Sequence, residues 1–80
     1  MNYTYKDLVD DLSLGHEVEF SYRGEKYSIS RNENGWFLTK YNDIDTVQKY
    51  NDSEEVLEKG ILDSKNIRLI WSEVTEISVL

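Results

Sequence analysis

The stretch from Glu17 to Tyr41, EVEFSYRGEKYSISRNENGWFLTKY, constrains the fold of this chain more than any other. Apolar and polar residues alternate along it, and glycine interrupts the alternation at Arg23-Gly24 and at Glu33-Asn34-Gly35. Period-two patterning broken by glycine turns predicts three antiparallel strands folded back and forth. A two-residue turn at Arg23-Gly24 sets Phe20 opposite Tyr27 and Val18 opposite Ile29. Both pairs then share one face, while Glu19 opposite Ser28 takes the other. Two loops compete for the second hairpin. A two-residue Asn34-Gly35 turn would set Ile29 opposite Lys40 and Arg31 opposite Leu38. A three-residue Glu33-Asn34-Gly35 loop, with glycine left-handed, sets Tyr27 opposite Tyr41 and Arg31 opposite Phe37. The second gathers Val18, Phe20, Tyr22, Tyr27, Ile29, Phe37 and Tyr41 on one face and is the register we expect.

That register turns Trp36 and Leu38 away from the helix-covered face, beside Lys26, Ser28 and Ser30. A Trp-Leu pair on a half-polar sheet face is a candidate contact surface, with Tyr41 as a neighbouring anchor. Two plainer readings stand beside it. A C-terminal helix could cover the face, or a one-residue slip could return Trp36 to the core.

The flanks supply the remaining elements. Tyr5, Leu8, Val9 and Leu12 recur at helical spacing. Thr4 with Asp7 forms a near capping box, Tyr3 and Leu8 have the spacing of a hydrophobic staple, and Gly15 suits a left-handed helix end. Residues 42–51 read as a polar connection anchored by Ile44, Val47 and Tyr50. Asp52 or Ser53 then caps a short helix, Glu54 to Lys59, ended by Gly60. Asp63 or Ser64 caps another, carrying Ile67, Ile70, Trp71 and Val74 at helical spacing, although IRLIW also suits a strand. Ile77 and Val79 mark a final strand. The expected fold is α+β: an N-terminal helix, a three-stranded antiparallel meander, one or two short helices and a C-terminal strand, in one domain of residues 1–80.

The 80 residues contain no cysteine and no proline, so disulfides, thiolate metal sites and stiff proline linkers are excluded. An acidic start without a long apolar run argues against a secretory signal, and no segment reaches membrane-spanning length, so a cytoplasmic protein is expected. The net charge of −7 is concentrated after residue 41, where nine acids face four bases. Such a surface repels phosphate backbones, which argues against direct nucleic-acid binding. It also defines a candidate acidic face of Asp43, Asp45, Asp52, Glu54, Glu55 and Glu58, fit to meet a basic groove. The run YRGEKYSIS, GWFLTKY, NDSEEVLEKGILDSKNIRLIW resembles small α+β proteins of Gram-positive bacteria and their prophages over about residues 16–72. The shared signals are turns, caps and core positions. The resemblance implies this architecture and a bacterial or phage origin, and it carries no function over.

The search for chemistry is short. His16 is the lone histidine, so a zinc site would need it with three carboxylates, and Glu17 and Glu19 alternate along a strand start in a way that splits such ligands between faces. A surface histidine just past a helix end is the simpler reading. The adjacent pairs Asp10-Asp11 and Glu54-Glu55 do not face each other on a helix. NENG and NDIDT lack calcium-loop spacing, and no phosphate loop or nucleophile elbow occurs. Neither an enzyme nor a cofactor is expected. Two function classes remain: a protein-interaction module, such as an accessory or inhibitor protein of a mobile element, and an acidic nucleic-acid mimic or immunity-type inhibitor. Homodimerisation through the Trp36 face is a further possibility.

Overall fold

Thr4 starts the first helix as its spacing predicts. Its hydroxyl accepts the Asp7 N–H at 3.2 Å, and the Asp7 carboxylate accepts the Thr4 N–H at 2.9 Å. This reciprocal cap begins α1 (Tyr5–Ser13), which buries Leu8 and Leu12 and leaves the Lys6–Asp10 pair in solvent. The helix closes through Gly15, whose φ of +90° lets its N–H reach the Leu12 carbonyl and the His16 N–H reach that of Asp11. The computed structural model describes residues 3–80.

After α1 come β1 (Val18–Tyr22), β2 (Glu25–Asn32), β3 (Gly35–Lys40) and β4 (Asp43–Tyr50). Then follow α2 (Ser53–Lys59), the short hairpin β5 (Ile61–Leu62) and β6 (Lys65–Asn66), α3 (Ile67–Ile70), a 3-10 turn (Trp71–Glu73) and β7 (Thr75–Val79). Five strands form one antiparallel sheet in the order β4-β3-β2-β1-β7. The fold is α+β with the expected N-terminal helix, short helices and C-terminal strand, but its sheet is wider than a three-stranded meander. Among the described residues, no helix is long and apolar enough to cross a membrane.

The first hairpin has the predicted register, Val18 opposite Ile29 and Phe20 opposite Tyr27, with Arg23 and Gly24 both at positive φ in the turn. The second hairpin has neither expected loop. Asn32 pairs with Gly35, Arg31 with Trp36, Ile29 with Leu38 and Tyr27 with Lys40, so the turn residues are Glu33 and Asn34. Asn32 and Gly35 are the residues a type I turn favours at its two ends, and the Asn32 side chain accepts the Asn34 N–H at 2.7 Å. Gly35 serves the close approach of β4: a Cβ there would lie 2.6 Å from the Tyr50 carbonyl oxygen, and φ is +139°. The outward placement of Trp36 and Leu38 is thereby corrected. Both join the inner face with Ile29, Leu38 is 1% exposed, and Phe37 and Thr39 turn outward instead.

The polar connection expected over residues 42–51 is a correction as well, because most of it is β4. Its inner positions carry Thr46, Gln48 and Tyr50, so hydropathy shows no strand there. Their side chains hydrogen-bond to neighbouring segments instead of packing as apolar groups. Thr46 Oγ1 accepts the Lys40 N–H at 2.9 Å and donates to the Asp43 carbonyl at 2.7 Å. The Gln48 amide binds both the N–H and the carbonyl of Ile61, at 2.9 and 2.7 Å. Further along, Asp52 caps α2, its carboxylate accepting the Glu55 N–H at 2.8 Å. Asp63 and Ser64 do not cap a helix. They form the left-handed turn of the β5–β6 hairpin, and Asn66 caps α3, which removes the strand alternative for IRLIW.

The helices cover one face of the sheet. Leu8, Leu12, Val18, Phe20, Tyr22, Ile29, Leu38, Val56, Leu57, Leu62, Ile67, Ile70 and Trp71 make a single core between the two layers. Among the described residues, none on the opposite face is buried; it presents Ser21, Ser28, Ser30, Phe37 and Thr39.

Candidate functional site

The three residues expected to form a contact surface are separated. Leu38 belongs to the core. Trp36 is half-buried against that core, flanked across the strands by Arg31 and Tyr50, with the Arg31 guanidinium 6.0 Å from its ring centre. Tyr41 lies in the β3–β4 turn, exposed, with the Lys26 ammonium 5.5 Å from its ring centre. No common surface unites them.

The acidic residues are similarly dispersed. Asp43 and Asp45 begin β4, and the Asp43 carboxylate accepts the Asp45 N–H at 3.2 Å. Asp52, Glu54, Glu55 and Glu58 lie beyond the other end of β4, about 23 Å away for a strand of 8 residues. Asp52 is occupied as a cap, and Glu55 accepts the Asn51 N–H at 2.8 Å and pairs with Lys59 at 3.6 Å. Among the described residues of α2, Glu54 and Glu58 stand exposed without such a duty. Among the described residues, no cluster of three or more His, Cys, Asp or Glu is placed to hold a metal ion.

The structure instead assembles a groove of about 820 Å³ where the N-terminal segment, the α3 to 3-10 region and β7 meet. Tyr3 and Tyr5 form one wall, Trp71 and Val74 line it from the second, and Ile77 of β7 from the third. Each arrives for a local reason. Tyr3 and Tyr5 flank the cap residue Thr4, so the tight turn into α1 presents both rings. Trp71 follows α3 and is held edge-on to Phe20, ring centres 5.1 Å apart, with Tyr3 6.1 Å away. Arg68 reaches over the Tyr5 ring at 5.7 Å.

Electrostatics hold this wall in a defined state. Burial pushes the Tyr3 phenol well above the ordinary tyrosine range, and its hydrogen bond to the Asp11 carboxylate pushes the same way. Burial also raises Tyr5, with the Arg68 charge acting in the opposite direction. Both phenols therefore stay protonated at neutral pH. Among the described residues, the buried Trp71 indole N–H has no acceptor. Volumes of several hundred Å³ with mostly apolar walls and a few polar groups are the usual form of a binding site.

Nothing contiguous in the sequence marks this groove. Tyr3 and Tyr5 read as staple and helix residues, Trp71 as a core position and Ile77 as a strand position. Each reading is sound locally; the packing of the N-terminal segment, the 3-10 turn and β7 on one another brings them together. Comparison with protein-family models, curated proteins and solved structures gives no match.

Proposed function

We propose that this chain is a non-catalytic protein-binding module whose contact surface is the aromatic groove beside β7. The observation that carries the reading is the groove itself: Tyr3, Tyr5, Trp71 and Ile77 line one cavity that opens at the end strand of the sheet. Aromatic side chains with an apolar body and a polar tip dominate the energetics of protein contacts. The resemblance to small proteins of Gram-positive bacteria and their prophages fits an accessory or inhibitor role on a mobile element. An acidic mimic is less favoured, because the carboxylates it would use lie at opposite ends of β4 and three of them are occupied locally.

The test is capture by the immobilised protein from extracts of a Gram-positive host, with Tyr5→Ala and Phe37→Ser variants alongside. A partner retained by the wild type and by Phe37→Ser, but lost by a folded Tyr5→Ala, supports the groove. Loss with Phe37→Ser alone moves the contact to the open sheet face and overturns the site. Sedimentation of the purified protein at rising concentration reports whether the partner is a second copy.

A further inference from the structure

We infer that the occupant of the groove is a basic, extended segment of a partner protein that adds to the outer edge of β7 as a further strand. This rests on the groove being the binding surface. The edge is available by the logic of the ladder. The Leu80 N–H donates to the Glu17 carbonyl at 2.7 Å, so Glu17 and Leu80 form a hydrogen-bonded pair. Val18 and Val79, next in register, are then a non-hydrogen-bonded pair, and the N–H and carbonyl of Val79 point away from β1. Among the described residues, no strand pairs with that side of β7.

Edges are normally blunted by lysine, proline or an inward charge. β7 has one such device, a bulge at Glu76 with φ of +53°, which re-aims the chain at its start. Beyond the bulge, Ile77 and Val79 stand on the core side of the sheet, Ile77 lines the groove, and Val79 is 42% exposed. An incoming strand would send alternate side chains to that same side, where an apolar one meets Ile77, Trp71 and the two tyrosines. The intervening side chains would lie beside Thr75 and Ser78 on the open face. Main-chain pairing plus a pocket for every second side chain is the logic of strand addition.

Charge sets the sign of the segment. Glu76 lines the groove and Glu73 precedes the strand; among the described residues, neither has an ion-pair partner. Among the described residues the one cation lining the groove, Arg68, is already placed over Tyr5. With a net charge of −7 over the chain, lysine or arginine is attracted from a distance and glutamate repelled.

The experiment titrates the isotopically labelled protein with three octapeptides: alternating Lys-Val, alternating Glu-Val, and a block of four Lys then four Val. The alternating Lys-Val peptide should shift and protect the Val79 amide, shift Ile77 and the Trp71 indole N–H, and weaken as salt rises. Val79→Pro removes an outward N–H without touching the β1 ladder, so it should keep the fold by circular dichroism and bind about tenfold more weakly. Glu76→Lys, which leaves every backbone group in place, should weaken the Lys-Val peptide severalfold. Equal binding of the block peptide, shifts centred on Phe37 or β4, no binding, or unchanged affinity in both variants would each overturn the inference. A natural partner lost with Tyr5→Ala yet retained by Val79→Pro would overturn strand addition and leave the groove reading standing.

Discussion

Along the β4 edge, the Asp43 carboxylate accepts the Asp45 N–H and Thr46 bridges Lys40 to Asp43. The Gln48 amide ties the strand to Ile61. Along the β7 edge there are Ile77, Val79 and an aromatic groove, and among the described residues the protection is one bulge. The two strands end the same sheet, yet the inner side chains of one are engaged in hydrogen bonds while Ile77 of the other lines an open groove. Charged and self-bonded edges resist pairing with other chains; a short, apolar edge beside a pocket invites a chosen one. Locating a binding edge therefore depends on where polar side chains are already used.

The largest expected effect tests the β2–β3 register, on which the β4 edge depends. Leu38→Ala should lose about 2–5 kcal/mol in chemical denaturation, as a fully buried leucine does. A loss within about 0.5 kcal/mol would mean that Leu38 faces solvent and that β4 is misplaced. Gly35→Ala comes next, because its Cβ meets the Tyr50 carbonyl and its φ disfavours a side chain; a loss of about 1–3 kcal/mol is expected. Gln48→Ala should cost about 1–2 kcal/mol by removing three hydrogen bonds, two to Ile61 and one from the Tyr50 hydroxyl, and should speed amide exchange in β4 and β5 while leaving β7 unchanged. Exchange rising equally at β7 would break the distinction between the edges.

The smallest effect probes the groove wall by pH. Tyr3, Tyr5, Tyr27 and Tyr50 all have phenols raised above the ordinary value, Tyr3 the furthest, chiefly by burial. A raised acid in the folded state means that the unfolded chain releases its protons first. Stability should thus be intact below about pH 10 and fall as pH rises beyond it. Tyr3→Phe should flatten that fall and cost about 1 kcal/mol at neutral pH through the lost bond to Asp11. An unchanged alkaline slope would show that Tyr3 is not held in the wall.

The contrast between the two hairpins shows how much was legible. The β1–β2 register follows from Arg23-Gly24 because apolar residues on both strands agree with only one pairing. The β2–β3 register does not, because Trp36, Phe37 and Leu38 are consecutive and apolar. Alternation then has no phase there, and a slip of one residue exchanges the faces. Gly35 misleads for a related reason: its conformation answers to Tyr50 of β4, a strand whose polar inner residues conceal it. Among the expected site residues, Tyr41 leaves the core face where the three-residue loop would have set it and is exposed, Leu38 is buried, and the acidic face is divided along β4.

By itself the sequence determined the local devices: the Thr4–Asp7 cap, the Gly15 helix end, the first hairpin, the start of α2 at Asp52 and the final strand. Each is written in residues a few positions apart, because dihedral preferences and short-range hydrogen bonds need no distant partner. Tertiary structure alone decided which face Trp36 and Leu38 occupy, that residues 43–50 form a strand, and that Tyr3, Tyr5, Trp71 and Ile77 share one groove. Those outcomes depend on contacts between residues dozens of positions apart, where burial and pairing geometry outweigh any local signal.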